Sequence, residues 1–416
     1  MRDVEEIEKN KFYKYRIDED NPDWIKCITR LAPLSHKPFD IRTEFERDAT
    51  RILHSSAYRR LKHKTQVFFA TNNDHVCTRI EHVGHVASIS KTIASALGLN
   101  ISLVEAIALG HDLGHSPFGH HGERIIEKIM EKHKFNQKFW HEKNSLRFID
   151  YLETLPNYCG FKENMNLTYA VRDGIVCHCG EVNENNIKPR KEYIDLELIE
   201  KGKYMPFTYE GCVVKISDKI AYLGRDIEDA YNYKFFDKDD MLTLKQLAQE
   251  VVKKKIKFKD VNTSSLIHEF ITNLCKNSNP EVGLTFSKEH YDMMNKIKKF
   301  NYQKIYSNER FKPFMKYAQL VIEAIFDFLL SYYDSFNTIH KLQKYSKFYP
   351  TLAFDFSDWL IKYSNIDEKT HRLRKYRNKI IYNIEDVMDY KQAIIDYISG
   401  MSDTYAIKAF KELTEF

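Results

Sequence analysis

Apolar residues at Ile80, Val83, Ala87, Ile93, Ala94 and Leu97 recur at the three- and four-residue spacing of one helical face, and Gly98 follows where a left-handed backbone closes a helix at low cost. His82 falls close to that apolar stripe. The next pattern opens on Ser102 and Glu105, spaced as a capping box, and its apolar residues Val104, Ile107, Ala108 and Leu109 run straight into His111-Asp112 before Gly114, Pro117 and Gly119 end the helix. A third pattern predicts a helix over 213–231. Ile216, Ile220, Leu223 and Ile227 turn to the core, and Asp218, Tyr222, Arg225 and Asp229 recur along another face. Arg42 to Leu61 also reads as helix, whereas residues 1 to about 38, ending in Pro33, His36 and Pro38, read as an irregular arm. Beyond 240, lysine-rich stretches such as Lys253-Lys-Lys-Ile-Lys257 alternate with apolar helices such as Leu320 to Tyr332, without repeats or low-complexity segments. The expected organisation is an arm (1–40), a helical core (41–235) and a C-terminal helical region (236–416) packed on the core, completing an oligomer contact or a substrate pocket.

Composition strengthens the helical reading. Hydrophobic residues make up 43% of 416, while 14 glycines and 10 prolines are few for that length, so the fold class expected is all-α. A net charge of +5, from 64 basic and 59 acidic residues, does not by itself mark a nucleic-acid binder. Seven cysteines, an odd number with no disulfide-framework spacing, suit a reducing compartment. The charged N-terminus has no apolar signal-peptide core, and no stretch is apolar enough to span a bilayer, so a cytoplasmic protein without a membrane partner is expected.

Chemistry concentrates in three separated segments: Arg79-Ile-Glu-His82, His111-Asp112-Leu-Gly-His115-Ser-Pro-Phe-Gly-His120, and Ser217-Asp218-Lys219. A single histidine on an apolar face is usually a hydrogen-bonded core residue. Here His82, His111, Asp112 and Asp218 would bring expensive polar groups from three core helices together, and a divalent ion is the simplest compensation. An imidazole and carboxylate shell without thiolate suits Mn or Mg foremost, with Fe, Co and Zn also accepted. The loop after Asp112 carries His115, His120 and His121, more imidazole than a turn requires and suited to proton transfer. Glu123, three residues after His120, is placed to orient its ring; His141 is either a further polar group over the site or a helix N-terminal residue. Arg79, one turn before His82, would reach an anion held at the metal, or form a surface ion pair with Glu81. Lys219, Tyr222 and Asp226 are either a solvated helix face or a pocket wall beside Asp218. Cys177-His178-Cys179 lacks the second pair of soft ligands that structural zinc requires and reads as core. The basic runs near 253 and 371–378 read as solvated faces with capacity for phosphate or nucleic acid.

These segments, with Arg42-Thr-Glu-Phe-Glu-Arg-Asp48, Arg51 through Gln66-Val-Phe, Tyr222-Leu-Gly-Arg-Asp226 and a C-terminal echo at Asp396-Tyr-Ile-Ser-Gly-Met-Ser-Asp403-Thr-Tyr405-Ala, resemble the HD-domain deoxynucleoside triphosphate triphosphohydrolases of the bacterial dGTPase-like group. The resemblance spans roughly residues 40–235 and returns near the end. It implies an HD-domain helical core with additional helices, metal ligands at His82, His111, Asp112 and Asp218, and a catalytic pair at His120 and Glu123, with His115 and His141 as further catalytic candidates. Gln66 matches a position near the deoxyribose, Asp226 one near the 3′-hydroxyl, and Arg79, Lys219 and Tyr222 phosphate-contacting positions. The implied substrate is a dNTP, with dGTP favoured, and the products a deoxynucleoside and triphosphate. A hexameric or tetrameric homo-oligomer is implied, with nucleotide or single-stranded DNA as allosteric ligands. Two other readings compete. One is an HD phosphohydrolase acting on a cyclic nucleotide, a nucleoside monophosphate or ppGpp; the other is a sensor that binds dNTP or single-stranded DNA without turnover.

Overall fold

A computed structural model describes residues 10–34, 39–69, 75–178, 185–251, 263–366 and 375–415. The chain is all-α; the only sheet among the described residues pairs the three-residue strands Thr154–Pro156 and Lys162–Asn164 antiparallel. The helices that position the site are α1 (Glu44–His54), α2 (Arg79–Leu97), α3 (Ile101–Gly110), α4 (Gly119–Lys132), α5 (His141–Arg147), α6 (Tyr169–Cys177) and α7 (Tyr209–Asn232). Helix α3 is apolar on nearly every side, with Leu103, Val104, Ala106, Ile107, Ala108 and Leu109 buried, because α1, α2, α6 and α7 all pack on it. Two glycines permit the closest of these approaches. A Cβ at Gly110 would meet Ile175 Cδ1 at 2.4 Å, and one at Gly174 would meet Ile107 Cδ1 at 2.5 Å, so α3 and α6 interlock reciprocally.

Helix interiors follow the apolar periodicity, and their ends depart from it. Gly98 closes α2 at φ 80°, as expected of a left-handed C-terminal glycine. Helix α3 is capped by Asn100, whose side chain accepts from Leu103 N at 3.1 Å, rather than by Ser102; Glu105 pairs instead with Lys91 at 2.8 Å. The run expected from Arg42 to Leu61 breaks at Ser55, whose hydroxyl donates to Ile52 O and accepts from Tyr58 N to start a short second helix. Helix α7 begins a turn earlier than the apolar pattern, capped by Thr208, and the apolar stretch at 320 starts at Lys312. The lysine run at 253–257 lies outside the described residues.

The C-terminal half adds α8 (Thr263–Asn277), α9 (Lys288–Asn301), α10 (Lys312–Ser331), α11 (Asp355–Tyr363), α12 (Val387–Ser399) and α13 (Asp403–Thr414). Helix α8 lies on α2 and α7, α9 lies on α7, and α10 joins α4 to α12 and α13. One hydrophobic core is continuous from Phe12 to Ala409.

Residues 10–34, within the stretch expected to be an irregular arm, pack into that core through Phe12, Ile17 and Cys27. Phe12 is fully buried, and Asn10 and Phe12 donate their amides to Ala96 O and Leu97 O at 3.1 and 2.9 Å. Glu210, fully buried in the first turn of α7, holds this stretch down: its Oε1 accepts from Ile17 N and Asn100 N, both at 3.1 Å, while Oε2 has no partner. Burial pushes its pKa up from 4.5 to about 7, the two amides pulling the other way. Between those values the folded chain keeps a proton that the unfolded chain has released, so stability falls as pH rises through the window and then levels. Glu210→Gln keeps the accepting oxygen and removes the titration. Its stability relative to wild type should therefore rise between pH 5 and pH 8, by up to roughly 3 kcal/mol, in paired urea denaturations.

Candidate active site

Helices α2, α3 and α7 converge on a cluster of charged and titratable side chains. His82, in the first turn of α2, is buried, with Nε2 2.9 Å from Asp218 Oδ1 on α7 and 4.0 Å from Asp112 Oδ2. His111 is the C-terminal cap of α3; its Nδ1–H donates to Ala108 O at 2.7 Å, leaving Nε2 as a lone pair with no hydrogen-bond partner, 3.5 Å from Asp112 Oδ2. His82, His111 and Asp218 bring ligand atoms within 4.8 Å of one another. A buried nitrogen lone pair without a donor is costly, and a cation is what this one can accept. Two imidazoles and two carboxylates, with no thiolate among them, form a donor set that fits a divalent ion.

Asp112 is the most constrained member. Its Oδ2 accepts from Arg79 Nη1 at 2.6 Å, and its Oδ1 lies 3.3 Å from His115 Nε2. Burial alone would raise its pKa, but the adjoining His111 imidazole, the Arg79 guanidinium and the His115 Nε2 at hydrogen-bond distance outweigh it and hold the carboxyl well below its usual range. Asp218 is likewise depressed, burial being overcome by His82. Both stay anionic.

A second cluster adjoins the first. Phe118 and Gly119 adopt φ 65° and 60°, turning the chain so that α4 begins beside the HD loop. Glu123, in the first turns of α4, is buried; its Oε2 lies 3.0 Å from His141 Nδ1 and 3.4 Å from His120 Nδ1, and its Oε1 accepts from Lys201 at 3.2 Å. His115 stacks on His141 with ring centroids 3.8 Å apart. The side chains thus form a continuous file, Asp112–His115–His141–Glu123–His120, from the buried cluster to an imidazole 64% exposed. Burial would raise the pKa of Glu123, yet the His141 and His120 imidazoles keep it well below the carboxylate range, while burial pushes that of His115 well down.

The remaining candidates lie around this file. Lys219 and Tyr222 line a cavity with Ile216, Tyr291 and Lys298. Asp226, two turns beyond Asp218 on α7, accepts from the Tyr306 hydroxyl, and burial pushes its pKa up to about 7. The Oε1 of Gln66 is buried without a hydrogen-bond partner. Arg79 is buried and engaged: besides Asp112 it donates to Thr65 O and Gln66 O at 3.2 and 3.4 Å, and makes no surface pair with Glu81, which caps Thr78 N at 2.7 Å.

The HD domain family matches residues 79–223, the span from α2 to α7 that carries both clusters. The chain is 34% identical over 374 residues to the deoxyguanosinetriphosphate triphosphohydrolase-like protein of Caldanaerobacter subterraneus subsp. tengcongensis, covering 90% of this chain and 86% of the relative. Proteins of the same description from Rickettsia bellii and Rickettsia rickettsii are 30% and 32% identical, covering 90% of this chain and 93% and 92% of theirs. The chain belongs to the deoxyguanosinetriphosphate triphosphohydrolase-like family. No helix among its described residues is long and apolar enough to cross a membrane.

In this triphosphohydrolase-like chain, several residues that shape the site escaped the sequence reading. Lys64, fully buried, donates to His115 O and to Ser399 O at 3.1 Å. Asp403 accepts from Phe118 N at 2.9 Å through Oδ1, and from Thr65 N at 3.0 Å and the Thr65 hydroxyl through Oδ2. The junction of α12 and α13 therefore holds both the loop before His120 and the segment before Gln66. Lys201 lies in a loop with no periodic signal, Tyr306 ends a π-helical turn, and His178 was assigned to core. Asp403→Asn keeps one accepting oxygen and loses the other, stranding one buried amide. It should cost about 1–3 kcal/mol in urea denaturation, with faster hydrogen exchange in peptides covering Thr65 and Phe118 and unchanged protection in the middle of α2.

Proposed function

We propose that this protein hydrolyses deoxynucleoside triphosphates, dGTP foremost, to a deoxynucleoside and inorganic triphosphate, using a divalent ion, Mn or Mg, held by His82, His111, Asp112 and Asp218. The observation that carries the reading is the meeting of two clusters: a buried histidine–aspartate set with the unpartnered His111 Nε2, and a histidine–carboxylate file ending in exposed His120. The relatives' description as deoxyguanosinetriphosphate triphosphohydrolase-like supports the substrate class and the choice of dGTP.

In this hydrolysis a water oxygen bonds to the α-phosphorus and gives up a proton to solvent as the bond to the 5′-oxygen breaks, which requires charge compensation on the phosphate and a proton for the departing 5′-oxygen. Bound in this cluster, the ion supplies Lewis-acid stabilisation of charge at the α-phosphate. His120 is the proton donor, because it is the one member of the file open to solvent and substrate. Glu123 engages His120 Nδ1, which leaves Nε2 as the nitrogen for the substrate. His141 and Lys201 keep Glu123 charged and fixed. His115, packed between Asp112 and His141, holds the file in register. Lys219 and Tyr222 meet the phosphates from the α7 side, Arg79 reaches the same charge through Asp112, Gln66 offers its amide to the deoxyribose, and Asp226 meets the 3′-hydroxyl.

Incubation with each dNTP and Mn or Mg, followed by chromatography separating nucleoside, monophosphate and triphosphate, should yield deoxynucleoside with intact triphosphate, fastest for dGTP. Monophosphate as the product, or no turnover with either metal, would overturn the reading. His120→Ala should lower turnover by roughly two to four orders of magnitude with metal content retained by elemental analysis. Unchanged turnover would remove His120 from proton transfer.

A further inference from the structure

His178 was assigned to the core because Cys177-His178-Cys179 lacks a second pair of soft ligands, and the structure gives its ring a different setting. It is the C-terminal cap of α6, as His111 is the cap of α3. The two histidines are held by the same device. His178 Nδ1–H donates to the carbonyl three residues back, Ile175 O, at 2.6 Å; His111 Nδ1–H donates to Ala108 O at 2.7 Å. With Nδ1 carrying the proton in both rings, Nε2 is in both a lone pair, the form in which imidazole ligates a metal.

The packing of α3 on α6 brings these ends together. Gly110 against Ile175 and Gly174 against Ile107 allow the two helices to approach so closely that the capping rings meet edge to face, centroids 4.9 Å apart. His111, Asp112 and His178 place ligand atoms within 4.8 Å of one another, a second set sharing His111 with the His82–His111–Asp218 set. The neighbouring thiol is turned elsewhere: Cys177 Sγ contacts Asp173 Oδ1 at 3.8 Å. Lys215 engages the Cys177 and His178 carbonyls, not the ring. No hydrogen bond reaches His178 Nε2 among the described residues.

We propose that His178 is a further protein ligand of the metal centre, its Nε2 adding a third imidazole to His82 and His111. A purely packed core imidazole would need a filled volume and one acceptor for its N–H, and either nitrogen would serve as donor. The duplicated Nδ1 lock and the proximity to Asp112 and His111 are what a ligand requires. The inference rests on the metal site of the proposed function, and its test separates the two.

Affinity for Mn is measured by chelator competition, and the Co-substituted protein by its visible absorption, for wild type, His178→Gly, His178→Gln and His82→Ala. Folding is checked in each case by thermal melting of the metal-free protein. The expected result is Mn binding weakened on the order of tenfold or more in both His178 variants, an altered Co spectrum, and recovery of affinity and spectrum when free imidazole is added to the glycine variant. Unchanged affinity and spectrum in a folded His178→Gln, beside loss of metal in His82→Ala, would overturn the role of His178 and leave the metal centre standing. Mn binding unaffected by His82→Ala as well would overturn the metal centre itself. Should the glycine variant fail to fold, the glutamine variant decides, since it keeps polarity and approximate volume without the ring nitrogen.

Discussion

A carboxylate kept ionised in the protein interior is the constraint on which this architecture turns. Asp112 is 3% exposed, and an isolated charge at that depth would be prohibitively costly. Compensation comes from every direction: Arg79 from the start of α2, His115 from the loop that follows it, His111 from the residue before it, and His82 across the cluster. Each partner is itself buried, so each needs its own support, and the requirement spreads outward. Arg79 takes the Thr65 and Gln66 carbonyls, His111 the Ala108 carbonyl, and His115 the face of His141. The helices could not be shuffled without stranding at least one of these charges.

The outward spread also gives the site its polarity. At the buried end, groups are fixed by several contacts each and suit the holding of an ion. At the open end, the His120 ring lies edge-on to His115 and His141 and has one long hydrogen bond, to Glu123 at 3.4 Å, while most of its surface is exposed. Position along the file thus grades the side chains from fixed to free, with Glu123 as the joint between the buried cluster and exposed His120.

Much of this was legible in the amino-acid sequence, for an identifiable reason. Helices α2, α3 and α7 are long enough that their apolar periodicity survives interruption by His82 and Asp218, and the adjacency of His111 and Asp112 to a glycine-rich stop is a local signal. Helix starts were misjudged wherever a polar residue outside the apolar pattern caps the first turn, as Asn100 does for α3 and Thr208 for α7. Lys64, Lys201 and Tyr306 stayed hidden, and Asp403 was seen only within the C-terminal echo without a role, because their contacts join distant parts of the chain and carry no local spacing. His178 was read as core and is indeed buried; what the flanking cysteines did not signal is that its helix end brings the ring edge to face with His111. The N-terminal stretch looked irregular because its helices are only three to five residues long, too short for a period, although Phe12 and Ile17 anchor it.

The clamp formed by Asp403 has a temporal meaning as well as a spatial one. Its contact with Thr65 spans 338 positions and that with Phe118 spans 285. During synthesis the helices carrying His82, His111, Asp112 and Asp218 emerge before α12 and α13 and have local partners with which to fold. The loop leading to His120 acquires its last support only when nearly the whole polypeptide has left the ribosome, so such non-local closure is the slow, late event of assembly. A nascent chain therefore carries the buried histidine–aspartate cluster before the loop leading to His120 is fixed by Asp403.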